Sequence, residues 1–175
     1  LTKVVPGSRK GVGLSQGMFP SYSEIDPYRM AVSSIDAAIR GLIALGIPLE
    51  RIAILDNFCW CSSDEPERLG QLKLAARGCY DAALAFGTPF ISGKDSMYND
   101  FSGFDADNNP VKISVPPTLL ISSIGIHEDV KKSVSMDAKI EGDLLYCVGQ
   151  TAEELGGSEY FAHLGFAGNT VPCLD

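Results

Sequence analysis

Arg51-Ile52-Ala53-Ile54-Leu55-Asp56-Asn57-Phe58-Cys59-Trp60 is a short apolar run that ends in polar groups, as a buried strand does when its carboxyl end meets a ligand. The chain then changes period. Asp64 to Glu67 resembles a capping box, and Leu69, Leu72, Ala75, Ala76, Cys79, Ala82, Ala83 and Phe86 mark an amphipathic helix ending at Gly87. Thr88-Pro89-Phe90-Ile91-Ser92-Gly93-Lys94-Asp95-Ser96 follows, and reads as a strand that breaks into a polar turn. Strand, helix, strand in this order predicts an α/β unit.

Upstream, Val12 to Phe19 alternates loosely and holds two glycines, which predicts a strand with a close backbone or ligand neighbour. Asp26-Pro27 is a strong helix start, an N-cap carboxylate before a proline at the first helical position. Met30, Ile35, Ala38, Ile39, Leu42 and Ile43 continue it at helical spacing as far as Gly46. Downstream, Phe101 to Pro110 reads as a solvated loop, Leu119 to Ile126 as a β-rich run, and Asp143 to Gly149 as one more strand. A mixed-charge connector, Glu128 to Glu141, lies between the last two. A domain boundary is expected near residue 140, giving units 1–139 and 140–175.

Composition narrows the function classes. The 175 residues carry 14 basic and 22 acidic side chains, a formal net charge of -8, which argues against unspecific attraction to nucleic acid or an anionic membrane. No apolar run reaches the ~20 residues of a membrane helix. Cys59, Cys61, Cys79, Cys147 and Cys173 form no even framework, as in a cytoplasmic protein with reduced thiols. The start at Leu1 shows no initiating Met and no signal pattern, and reads as the interior of something longer.

Ser92-Gly93-Lys94-Asp95-Ser96 mixes a flexible glycine, a cation, a carboxylate and a hydroxyl, the groups a phosphate and metal site requires. Gly93 would let backbone approach phosphate oxygens, Lys94 would offset their charge, Asp95 would hold Mg²⁺ and Ser96 would donate a hydrogen bond. It is not a P-loop, because Thr88 stands where the first glycine belongs and Asp95 follows Lys94. Asp56-Asn57 suits a metal, a ribose, a phosphate-bound water or a turn cap. Gly156-Gly157-Ser158 is either an anion-binding helix start or a tight connection. Cys59 and Cys61 lack partners at zinc-finger spacing, and the isolated His127 and His163 suggest structural or surface roles rather than a triad.

Five ordered motifs carry a resemblance: Ile25 to Tyr28, Ile54 to Trp60, Gly78 to Ala83, Thr88 to Ser96 and Leu155 to Tyr160. Together they resemble the second aminoimidazole-ribonucleotide-synthetase-like half of the formylglycinamide ribonucleotide amidotransferase family, also called phosphoribosylformylglycinamidine synthases, over about residues 10–175. The resemblance implies an α/β (α+β) fold. Its N-terminal domain would have a mixed sheet forming half of a barrel, with flanking helices, and the start of a C-terminal α/β domain would follow. It implies an ATP-dependent C–N ligase of purine biosynthesis that uses Mg²⁺, formylglycinamide ribonucleotide and ammonia from a glutaminase domain or subunit.

Carried over by position, Asp56 and Gly93 match nucleotide contacts and Ser96 a substrate-phosphate contact. Lys94 falls where shorter relatives have a metal-binding Asn, so Asp95 takes the metal or Lys94 replaces part of its charge. Ala37 and Gly41 stand where many relatives show a metal-holding acid and Asn on one helical face, which implies that an auxiliary metal site is absent. Asp36 and Arg40, beside them, would compensate only if the helix rotated by roughly 100°. The family's catalytic histidine and glutaminase nucleophile have no counterpart here, so activity of the isolated chain is not expected. The alternatives are a non-catalytic half that supplies barrel strands, with homodimers through those strands, or another ATP-dependent enzyme of this fold.

Overall fold

The computed structural model describes residues 1–174. Four strands form one mixed sheet: β1 (Gly11–Met18), β2 (Ile52–Cys59), β3 (Phe90–Ser96) and β6 (Thr118–His127), in the order β1-β6-β2-β3. A hairpin of β4 (Asp100–Phe104) and β5 (Pro110–Ser114) leaves the sheet after β3. Strand β6 runs antiparallel to both β1 and β2, whereas β2 and β3 are parallel. The parallel pair needs a crossover, and α2 (Pro66–Phe86) supplies it.

Helix α1 (Pro27–Ile43) starts where the Asp-Pro pair predicts, with the Asp26 carboxylate accepting from the Arg29 N–H at 3.0 Å. It ends just before the expected stop, and Gly46, at φ 89°, turns the chain back so that the Ile47 N–H donates to the Leu42 carbonyl. The apolar stripe of α1 lies on the inner face of the sheet. Met30, Ile35, Ile39 and Leu42 are fully buried, with Ile52, Ile54, Leu119 and Ile121 in the same core. Where helix and sheet come closest, side chains have been removed: a Cβ on Gly17 would lie 2.1 Å from the Ser34 carbonyl oxygen. Helix α2 packs on α1 through Gly78 and closes at Gly87, which is left-handed at φ 67°.

Both helices cover the same face. The other face, with Leu14, Gln16 and Met18 exposed on β1, has no layer over it among the described residues.

Four expectations need correction. Gly93 to Ser96 is no turn, because β3 continues through Ser96, paired residue by residue with Asp56 to Cys59. Phe101 to Pro110 is not a plain loop but most of the β4–β5 hairpin, turned at Asp105, whose carboxylate accepts from the Asp107 and Asn109 N–H groups. Helix α2 begins at Pro66 without a side-chain cap, and the Asp64 carboxylate accepts instead from the Tyr98 hydroxyl at 3.0 Å. Asp143 to Gly149 forms no strand: no other strand lies beside it among the described residues, and Leu145 and Val148 are each 96% exposed. The five-residue α3 (Glu159–His163) starts, as its sequence suggests, at a Ser158 cap. Its neighbourhood is tied to the main body by Ser21 Oγ donating to the Gly157 carbonyl and Arg29 to the Val171 carbonyl, each at 2.8 Å.

Candidate functional site at the carboxyl end of the parallel strand pair

Register decides which of the expected residues act together. Asp56 pairs with Gly93, Asn57 with Lys94, Phe58 with Asp95 and Cys59 with Ser96. Side chains alternate across a sheet, and parallel partners share a face. Asp56 and Asp95 therefore project toward the helices, and Asn57, Lys94 and Ser96 toward the uncovered face.

On the helix side, the Asp56 carboxylate lies over Gly93. A Cβ there would sit 2.4 Å from Asp56 Oδ1, so only glycine leaves this space open. The Asp95 carboxylate reaches hydrogen-bonding range of Asp56. Burial first, and Asp95 second, push the Asp56 carboxyl above its usual value. The two acids line a cleft of about 320 Å³ together with Phe58, Ala76, Cys79, Tyr80 and Phe90. Burial pushes the Cys79 thiol up to about 12, so it is an apolar lining group and not a nucleophile.

On the opposite face the Lys94 ammonium donates to Ser96 Oγ at 2.6 Å. The site thus consists of two clusters, an acidic one and a cationic-hydroxyl one, back to back on strand β3. Because β3 is the last strand of its sheet, its outer edge is unpaired among the described residues and runs between the two clusters.

The donor set of the acidic cluster fits a hard divalent cation. Two carboxylates converge, and the only cation beside them in sequence, Lys94, points away. Asp56 and Asp95 are the residues that would hold Mg²⁺, which would supply charge neutralisation for bound phosphate. The raised Asp56 carboxyl has a measurable consequence without any ligand. A folded-state value above the usual 3.8 means that its stabilising contribution is full below pH ~4 and is lost as pH rises through the folded value. Asp56→Asn should therefore raise the melting temperature relative to wild type at neutral pH, with the gain shrinking on acidification toward pH 4. A gain that is constant with pH in thermal melts would sink this assignment.

The other expected positions have structural explanations. Gly41 faces Ser15, whose Oγ would be 2.0 Å from an added Cβ, and Ala37 faces Gly17. That side of α1 is pressed on β1 and leaves no room for metal-holding side chains. Asp36 and Arg40 pair with each other instead, as an (i, i+4) ion pair with Asp36 buried. Gly156 fits where a Cβ would lie 2.4 Å from the Thr170 carbonyl oxygen, which favours the tight-connection reading of Gly156-Gly157-Ser158. His127 is also structural: Nδ1 accepts from the Asp129 N–H, leaving Nε2 to donate to the Leu45 carbonyl at 3.0 Å. Sequence reasoning missed two residues that line the cleft, Tyr80 and Phe90. Their signal was an exposed aromatic beside a buried helix position and a second at the start of a strand.

The family described as "AIR synthase related protein, N-terminal domain" matches residues 3–115. The chain is 34% identical over 174 residues to the phosphoribosylformylglycinamidine synthase subunit PurL of Gloeobacter violaceus, covering 99% of this chain and 22% of that protein. It is 36% identical over 153 residues to the PurL subunit of Methanocaldococcus jannaschii, covering 86% and 20%. The chain thus spans about a fifth of the length of these relatives. Among solved structures, phosphoribosylformylglycinamidine synthase II from Thermotoga maritima superposes with a TM-score of 0.62 at 20% identity, over 76% of this chain and 20% of that one. The mixed sheet with helices on one face is the fold these proteins share, and the chain belongs to the AIR synthase related protein family through the N-terminal domain of that family.

Proposed function

We infer that this chain forms part of the ATP and substrate-phosphate site of a phosphoribosylformylglycinamidine synthase, acting in the cytoplasm in purine biosynthesis. The observation that carries the reading is the pair of clusters at the carboxyl end of an edge strand. Asp56, Gly93 and Asp95 lie on one side, Lys94 and Ser96 on the other, and the unpaired edge runs between them. A polyphosphate wrapped around that edge meets a metal site on one face and a cation with a hydroxyl on the other. Relatives named PurL support the substrate class, as do Thermotoga maritima PurL structures whose titles name ATP and FGAR.

In the proposed reaction the γ-phosphoryl group of ATP passes to the formamide oxygen of formylglycinamide ribonucleotide, releasing ADP. Ammonia from a glutaminase domain or subunit then displaces phosphate to give the amidine. The contribution of this chain is positioning and charge balance. Asp56 and Asp95 hold Mg²⁺ and the nucleotide, Lys94 offsets phosphate charge and Ser96 donates to the substrate phosphate. The remaining domains of the synthetase supply the other groups, so the isolated chain binds without turning over. The boundary near residue 140 separates this site-bearing domain from the start of the next.

The uncovered face, with Leu14 68% and Met18 50% exposed, favours a second role in the same assembly. It suits a partner sheet closing a barrel, by another copy or by the companion half.

Calorimetric titration with Mg-ATP, and separately with a ribonucleotide monophosphate, tests the site. Asp56→Ala and Lys94→Ala should each weaken ATP binding by about tenfold or more, since a lost charge-assisted contact is worth about 1.5–3 kcal/mol. Unchanged titrations in both variants would leave only the barrel role.

A further inference from the structure

Among the described residues strand β3 is held on one side only, by β2, and Ser96 is its last residue. The end of such a strand frays unless something beyond the ladder pins it. Here the chain reverses at Tyr98, whose backbone is left-handed at φ 59°, a region that a bulky side chain rarely occupies. Contacts with the segment that follows β2 hold it there. The Tyr98 hydroxyl donates to the Asp64 carboxylate at 3.0 Å, its N–H donates to the Cys61 carbonyl at 3.4 Å, and the Asp100 carboxylate accepts from the Ser62 N–H at 3.1 Å.

The reversal carries the Asn99 side chain back across the two strand ends. Its Nδ2 donates to the Ser96 carbonyl at 2.8 Å and to the Trp60 carbonyl at 3.0 Å, using both of the hydrogens an amide offers. The Ser96 carbonyl also accepts from the Trp60 N–H at 2.8 Å. One side-chain amide thus bridges the carboxyl ends of β2 and β3 at the last rung of their ladder, where Ser96 pairs with Cys59.

We propose that Asn99 is a positioning residue for the Ser96 hydroxyl: by holding the Ser96 carbonyl it fixes the last peptide plane of β3, and with it the direction in which Oγ leaves the strand. The inference rests on the substrate-phosphate reading above and adds a residue that acts through Ser96. Two observations favour it over a role in the turn alone. The Asn99 backbone N–H already closes the turn on the Trp60 carbonyl at 3.0 Å, so the side chain is not needed for closure. Asn99 is also exposed, so its amide does not serve to satisfy a buried core. The hydroxyl it sets is ready for an anion: the Lys94 ammonium donates to Ser96 Oγ, which leaves the hydroxyl hydrogen available to a phosphate oxygen.

Calorimetric titration of this chain with formylglycinamide ribonucleotide and, separately, with Mg-ATP tests the assignment, with Ser96→Ala giving the loss expected when the hydroxyl itself is gone. Asn99→Ala should weaken ribonucleotide binding by about fivefold, the scale of one net hydrogen bond. Mg-ATP binding should hold, because Asp56, Gly93 and Lys94 lie further back in the ladder, and thermal melts should stay near wild type. In the Ser96→Ala background, Asn99→Ala should cost no further ribonucleotide affinity, whereas a purely structural role would cost the same in both backgrounds. Equal losses of both ligands, an additive cycle, or full ribonucleotide affinity in Asn99→Ala while Ser96→Ala loses it would each overturn the positioning role and leave the substrate-phosphate reading in place. If folded wild type does not bind the ribonucleotide, or Ser96→Ala binds it as wild type does, that reading falls and the role of Asn99 with it.

Discussion

Trp60→Ala is expected to lower the unfolding free energy by about 3–5 kcal/mol, the range for truncating a buried large aromatic, out of a total that for domains of this size is about 5–15 kcal/mol. The indole is fully buried, stands 5.8 Å from the Phe58 ring centroid, and donates through Nε1 to the Arg68 carbonyl in the first turn of α2. Its own backbone is a junction as well: the Trp60 N–H donates to the Ser96 carbonyl at 2.8 Å, and its carbonyl accepts both the backbone and side-chain N–H groups of Asn99. Truncation leaves a cavity between β2 and α2 and removes the indole's hydrogen bond to the Arg68 carbonyl. Trp60→Phe should cost less, since the ring volume is partly kept and the hydrogen bond alone is worth about 1 kcal/mol. Urea unfolding followed by far-UV circular dichroism measures both, because Trp60 is the sole tryptophan and its fluorescence vanishes with it. A midpoint for Trp60→Ala indistinguishable from wild type would mean that the β2–α2 junction does not carry the stability assigned to it.

The elements that bury a continuous face were legible in the sequence. Helix α1 announces itself by Asp26-Pro27 and an apolar stripe, and β2 by Ile52 to Leu55, because one-sided burial imposes a period on the residue types. Strand β3 was misread beyond Ser92 for the converse reason. It is an edge strand, exposed along nearly its whole length, so no burial forces apolar residues into it, and Gly93, Asp95 and Ser96 are residue types that turns favour. The hairpin of β4 and β5 escaped notice likewise, since its pairing is carried by backbone bonds beneath a polar, glycine-bearing sequence. Asp143 to Gly149 shows the opposite error, an apolar run with nothing beside it to pair with. The site followed the same logic. Residue types named Asp56, Gly93, Lys94, Asp95 and Ser96 as a group, but read as a turn they would converge on one point, whereas in a strand they must alternate. Only the register against β2 reveals that Asp56 and Asp95 share one face and Lys94 and Ser96 the other.

Gly93→Ala is expected to keep the fold and abolish most nucleotide affinity, by about tenfold or more under the proposed reading, the equivalent of 1.4 kcal/mol. The glycine is not needed for its backbone, since Gly93 is absent from the positive-φ positions and lies in ordinary strand pairing. What it provides is the space under Asp56. A methyl group there would meet Oδ1 at 2.4 Å and both Cγ and Oδ2 at 2.9 Å. Those atoms end a rotatable side chain, so the carboxylate swings aside instead of the strand moving, and the melting temperature should change little. The swing would take Asp56 out of the cleft and away from Asp95, dispersing the paired carboxylates on which a divalent cation depends. Loss of the pair should also relieve the mutual repulsion that helps hold the Asp56 carboxyl high, so the pH-dependent gain of Asp56→Asn should be smaller in the Gly93→Ala background. Combining the two substitutions in one thermodynamic cycle, with ATP titration and melts at several pH values, separates a role for Gly93 in seating Asp56 from one in strand pairing. Affinity retained in Gly93→Ala would show that the cleft accepts nucleotide without Asp56 in place, whereas a collapsed melting temperature would show that the glycine serves the sheet.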